Sequence, residues 1–122
     1  TWAYEQDSDR LTKELGYKNQ TEMFDDLKSA YAKAAQKLGG MELIPGGETF
    51  QNLIKTGIGH IHRDTFHASL GLGRLALGYV WYETLTGKNC ADNSFAEFDE
   101  PVTEQDKKTA QTCAHKAAEQ YS

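Results

Sequence analysis

Gly39-Gly40-Met41-Glu42-Leu43-Ile44-Pro45-Gly46-Gly47 is the stretch on which the reading of the fold turns. Two glycines stop whatever precedes them, since glycine tolerates the left-handed dihedrals of a helix end. Met41-Glu42-Leu43-Ile44 then reads as a short strand, and Pro45-Gly46-Gly47 closes it. Upstream, Thr21 is a plausible N-cap. After it, Met23, Phe24, Leu27, Ala30, Tyr31, Ala34, Ala35 and Leu38 fall on one helical face, with Asp25, Asp26, Lys28, Lys33 and Lys37 mainly on the other. Helix, glycine turn, strand and loop in that order make half of a parallel α/β unit.

Working outward, Glu48 to Lys55 reads as a short helix with Phe50, Leu53 and Ile54 inward, broken by Thr56-Gly57-Ile58-Gly59. A longer helix runs from Leu70 to Thr86. It is apolar on most faces and therefore expected to be buried, Trp81 and Tyr82 included, and Gly87 stops it. Gly71, Gly73 and Gly78 each cost that helix about 1 kcal/mol against alanine, which makes sense where another backbone approaches closely. Residues 88–102 read as loop. Thr103 caps a last helix whose Ala110, Cys113, Ala114, Ala117, Ala118 and Tyr121 line one face. Residues 5–20 read as loop. Thr1-Trp2-Ala3-Tyr4 reads as the tail of a strand, which suggests a chain cut from something longer.

The 122 residues suit a single unit, 1–122, with no second domain. A net charge of −5 argues against nucleic acid as a partner. No run of 18 apolar residues spans a membrane. Cys90 and Cys113 either form a disulfide, which would favour an extracytoplasmic or secreted setting, or are two unrelated thiols.

Functional groups are densest over residues 60–68 (His60 to Ala68), and the segment that carries chemistry is Arg63-Asp64-Thr65-Phe66-His67-Ala68-Ser69. Asp64 and His67, three apart and directly before a helix, form a compact acid–base pair. The carboxylate can accept from one imidazole nitrogen and leave the other free to take a proton from a nucleophile. Imidazole suits that work because its ordinary pKa, roughly 6.5, lies near working pH. Ser69 reads as a helix N-cap rather than a nucleophile. Arg74 reads as the partner of a nearby acid, with recognition of a substrate carboxylate as the other possibility. A rival grouping is His60, His62 and Asp64, alternate residues on an extended segment that could present three ligands to zinc in a metal-dependent hydrolase.

The same residues, continuing through Gly73-Arg74 to Trp81-Tyr82-Glu83-Thr84-Leu85-Thr86-Gly87-Lys88, resemble the C-terminal block of SGNH (GDSL-type) hydrolases. They are most similar to a bacterial branch known only as a domain of unknown function. Thr1-Trp2-Ala3-Tyr4 and Leu43-Ile44-Pro45 also look like that branch, so the resemblance covers about residues 1–95. It implies a partial flavodoxin-like (SGNH-type) α/β/α sandwich with one or two short parallel strands. It also implies ester hydrolysis without a cofactor or metal, with His67 as general base and Asp64 orienting it. Thr65 stands where the family commonly has glycine, which bears on the loop geometry. The nucleophilic serine and the oxyanion residues of such enzymes lie in blocks absent here. The resemblance therefore implies the C-terminal portion of an esterase or deacylase that is inactive alone. Its substrate would be a small acyl ester, such as an acylated carbohydrate, and it would self-associate through an exposed sheet or pair with a missing N-terminal half. The alternative is a non-enzymatic binding or interaction module in which the Asp–His pair is structural.

Overall fold

The computed structural model describes residues 4–95 and 97–122, which form four α-helices: α1 (Gln20–Lys37), α2 (Gly46–Lys55), α3 (Leu72–Thr86) and α4 (Glu104–Tyr121). Each begins or ends on recognisable local chemistry. Asn19, not Thr21, caps α1: its side chain accepts from Glu22 N at 2.9 Å, and the Glu22 carboxylate accepts from Lys18 N at 2.9 Å. Thr103 caps α4 as expected, accepting from Asp106 N at 3.1 Å. Gly87 ends α3 at φ 70°.

The segment expected to be a strand is not one. Gly39 and Gly40 turn the chain at φ 86° and 83°, and the N–H groups of both Gly40 and Met41 donate to Ala35 O. Met41 is thereby used to close the helix end. At the other end, Ile44 O accepts from Gly46 N at 2.8 Å on entry to α2. With both ends of a four-residue run committed to neighbouring helices, nothing remains to build a ladder. Among the described residues the sole β-pairing is an isolated antiparallel bridge between His62 and Ala68. The expected α/β flavodoxin-like sandwich, its parallel strands and its exposed sheet are therefore replaced by a helical architecture. Thr1-Trp2-Ala3 lies outside the described residues, so the strand expected there has no counterpart to compare.

The core is the mutual packing of α2, α3 and α4. Ala110, Ala114 and Ala117 are fully buried on α4, and their small side chains let the other two helices approach. Phe50 and Leu53 of α2 and Leu72, Leu75, Ala76, Tyr79 and Val80 of α3 fill the space between. Asn52 ties α2 to α4 by donating to Cys113 O at 3.1 Å. In contrast, α1 buries only Gln20 and Phe24, and it is held by the buried Gln51–Gln20 amide pair at 2.8 Å. Its later turns are exposed, Leu38 by 67%. The apolar face read from the sequence is real as a pattern but only its first turns are covered. Trp81, expected in the core, is 53% exposed, and Leu85 is likewise exposed. An all-round apolar helix does not say which side its partners take. Residues 5–20 contain a π-helical turn, Arg10–Glu14, with Leu11 fully buried, where loop was expected.

Cys90 and Cys113 are free, buried thiols rather than a disulfide, which removes the argument for an oxidising compartment. Burial, reinforced by the Glu83 carboxylate, pushes the Cys90 thiol up to about 12, so it is not a nucleophile at neutral pH. Glu83 itself is a buried acid in α3. Burial opposes its ionisation, yet hydrogen bonds from Cys90 and His115 outweigh that and hold its carboxyl below the usual range. Reciprocally, the hydrogen bond to Glu83 raises His115 above the ordinary imidazole value, against a smaller opposing effect of burial. The two shifts give a defined pH window. The depressed Glu83 stabilises the fold above its unfolded value of about 4.3, and that contribution is lost as pH falls. The raised His115 stabilises it fully below about 6.5, and that contribution is lost as pH climbs through the folded value. The urea midpoint is expected to fall between pH 5.5 and 8, and His115→Gln to flatten that fall; an equal fall in the variant would assign it to other groups.

Candidate functional site

The Asp64–His67 loop is pinned at its base to the start of α3. Ser69 N donates to Ile61 O at 2.8 Å, and Arg63 N donates to His67 O at 3.0 Å, so residues 61–69 fold back on themselves. Ser69 Oγ accepts from Gly73 N at 2.7 Å. The helix starts two residues later than the expected Leu70, with Gly71 rather than Ser69 at its N-cap, but the buried Ser69 hydroxyl still satisfies a first-turn N–H. The glycine at 73 is required here: a Cβ would lie 2.3 Å from Ile61 O. Gly71 also sits in a tight place, its Cβ position 3.1 Å from Glu100 and Val102 side chains. Gly78 does not, with nothing within 4 Å.

Within the loop, one oxygen of Asp64 makes the turn and the other holds the ring. Oδ1 accepts from Phe66 N at 2.9 Å and His67 N at 2.7 Å; Oδ2 is 2.6 Å from His67 Nδ1. The two backbone donors, then the imidazole, keep the Asp64 carboxyl well below the usual carboxylate range despite opposing desolvation. An ionised acceptor at Nδ1 fixes the proton there and leaves the Nε2 lone pair outward. Nε2 has no hydrogen-bond partner among the described residues, and the two side chains are 43% and 45% exposed. The ring is therefore neither sealed in the core nor turned away from its acid.

Sequence reasoning missed what braces the imidazole. Phe66 stacks on His67 with centroids 4.0 Å apart, Tyr4 leans on Phe66 at 5.5 Å, and the Arg10 guanidinium lies 5.5 Å over the Phe66 ring. Glu5 N donates to Thr65 O at 2.7 Å. The polar N-terminal segment thus closes over the loop. The available signal was the aromatic inside Asp-x-x-His together with Tyr4 and Arg10, all expensive to leave unstacked.

The rival zinc grouping is dispersed. His60 Nε2 pairs with Asp106 at 2.7 Å, His62 meets the Phe50 ring edge-on at 5.4 Å, and Asp64 faces His67. Among the described residues no cluster of three or more His, Cys, Asp or Glu could hold a metal ion. Arg74 pairs with Asp99 at 3.1 Å, as the acid-partner reading expects.

The molecule is thus a helical unit that carries a braced Asp–His pair on a loop at the head of its central helix. It belongs to the DUF4886 family, a domain of unknown function whose sequence profile matches residues 1–117. It is also similar to a crystal structure of a DUF4886 family protein from Bacteroides uniformis, with 34% identity and a TM-score of 0.85 over 96% of this chain. That match covers 45% of the other chain, so the present chain spans less than half of that relative. Neither match names an activity. Comparison with curated proteins returns no match. Among the described residues no helix is long and apolar enough to cross a membrane.

Proposed function

We propose that this chain supplies the base half of a serine-hydrolase site of the SGNH type, with His67 as general base and Asp64 as its orienting partner. The observation that supports it is the 2.6 Å contact between Asp64 Oδ2 and His67 Nδ1 on a half-exposed ring, with no hydrogen-bond partner for Nε2 among the described residues. In such a site Nε2 takes the proton of a serine hydroxyl as that oxygen attacks an ester carbonyl, then returns it to the leaving alcohol. Ser69, buried and bonded to Gly73 N, is not assigned as that serine. The nucleophile and the oxyanion donors are assigned to sequence beyond these 122 residues, which the greater length of the Bacteroides uniformis relative accommodates. Small acyl esters, including acetylated carbohydrates, are the substrate class.

The second reading is that Asp64 is a turn-former and the imidazole only packs. Its support is that the two backbone N–H donors, not the imidazole, act most strongly on the Asp64 carboxyl. Hydrolysis of p-nitrophenyl acetate by the full-length protein separates the two. His67→Ala is expected to lower kcat/KM by about 10³-fold, within the span of general-base removal, and the 122 residues alone to show no turnover. Undiminished hydrolysis by the alanine variant would leave the turn-former reading standing.

A further inference from the structure

Along the edge of the packed face of α3, where buried Leu75 and Tyr79 border exposed Gly78, lies an open groove of about 310 Å³. Its floor is α3 at Leu75, Gly78 and Tyr79, and its far wall is the loop bearing Phe95 and Phe98. We propose that this groove is a binding site for a small, uncharged apolar molecule, for which Gly78 leaves the floor open and the Phe95–Phe98 pair supplies the wall.

Three observations carry the proposal. Gly78 sits in the interior of a helix, where glycine costs about 1 kcal/mol against alanine, yet nothing in the chain lies within 4 Å of its Cβ position. No turn, positive φ or close backbone contact within the fold asks for glycine there; what it leaves is room, and that room is the groove. Phe95 is 55% exposed and is held edge-on to Phe98, with centroids 5.6 Å apart. A T-shaped pair presents a ring face to a third apolar group. The rim, finally, selects against anions. Arg74 is neutralised by Asp99 at 3.1 Å, and Glu97 adds an exposed carboxylate at the lip, with no cation paired to it among the described residues. An apolar, concave surface with a few polar groups at its edge, at the small end of the volume range of ligand sites, fits a compact molecule better than a flat protein face. The inference is independent of the hydrolase reading, because neither Asp64 nor His67 lines the groove.

The test uses a matched pair of fluorescent probes with the 122-residue chain. N-phenyl-1-naphthylamine is uncharged, and 8-anilinonaphthalene-1-sulfonate carries the same rings with a sulfonate. The uncharged probe is expected to bind saturably at one site, and the sulfonate several-fold more weakly. Gly78→Leu, whose Cβ would meet nothing within 4 Å and whose branch would occupy the floor, should raise the dissociation constant of the uncharged probe at least about tenfold with the helical circular dichroism unchanged. Phe95→Ala should weaken it as well, whereas Leu38→Ser on the exposed face of α1 should not. Binding that survives Gly78→Leu, or that Leu38→Ser removes, would overturn the proposal. So would tighter binding of the sulfonate. Self-association that Gly78→Leu abolishes, without saturable probe binding, would assign the groove to a second copy of the chain instead.

Discussion

Asp64→Asn in the full-length protein is expected, on the proposed hydrolase function, to cut kcat/KM for p-nitrophenyl acetate by about 10³- to 10⁴-fold, the scale on which a triad loses its oriented base, while leaving the unfolding midpoint nearly unchanged. The separation follows from how the two oxygens divide their work. Oδ1 is committed to the N–H groups of Phe66 and His67. An asparagine must keep its carbonyl oxygen there, or those donors lose their acceptor. Its amide NH₂ then falls where Oδ2 was, 2.6 Å from His67 Nδ1. An amide donor at that place requires Nδ1 to accept, which moves the ring proton to Nε2, the position that must be bare to deprotonate a hydroxyl. The turn survives and the base is lost. His67→Ala tests whether the imidazole is needed at all but also removes the ring that Phe66 stacks on, so Asp64→Asn is the sharper test of ring orientation. Activity within a few-fold of wild type in Asp64→Asn, with an intact fold, would show that ring orientation at 67 has no part in the chemistry.

Local grammar was legible in the sequence, and its partners were not. Thr103, Gly87 and Ser69 act through hydrogen bonds within a few residues, so residue type and spacing suffice to read them. Asp64 and His67 were legible for the same reason. Met41-Glu42-Leu43-Ile44 failed because a strand is defined by a neighbour, and the punctuation that suggested it serves equally to end one helix and begin the next. Trp81 failed differently: apolar positions all round α3 carry no preferred side, so the pattern predicts burial without saying against what. Glu83 carries a signal that residue type alone makes legible. A lone acid in a strongly apolar helix has to find partners, and it finds Cys90 N and His115. Of the three helix glycines, sequence gave one reason for all, and the structure divides them.

That division makes a sharp prediction, since one substitution at two sites of the same helix should act with opposite sign. At Gly73 a new Cβ would meet Ile61 O at 2.3 Å, Ser69 Oγ at 2.9 Å and Ala68 Cβ at 3.2 Å. The closest of these is backbone, and it is fixed, because Ile61 O accepts from Ser69 N at the neck of the loop. Alanine there must push residues 61–69 off the first turn of α3, straining both the Ser69–Gly73 hydrogen bond and the one at the neck. The expected loss is about 3 kcal/mol, the upper part of the overpacking range, set against at most about 1 kcal/mol gained from helix propensity. For a chain of this size a net loss near 2 kcal/mol corresponds to a fall of roughly 10 °C in Tm. Gly78→Ala meets nothing within 4 Å and should gain about 0.5–1 kcal/mol. Because the displaced loop carries Asp64 and His67, Gly73→Ala should also, on the proposed hydrolase function, lower ester hydrolysis at temperatures where the protein is still folded. Differential scanning calorimetry of the two variants decides the structural part: a Gly73→Ala midpoint at or above that of the wild type would mean that the loop is not seated against α3 at that carbonyl.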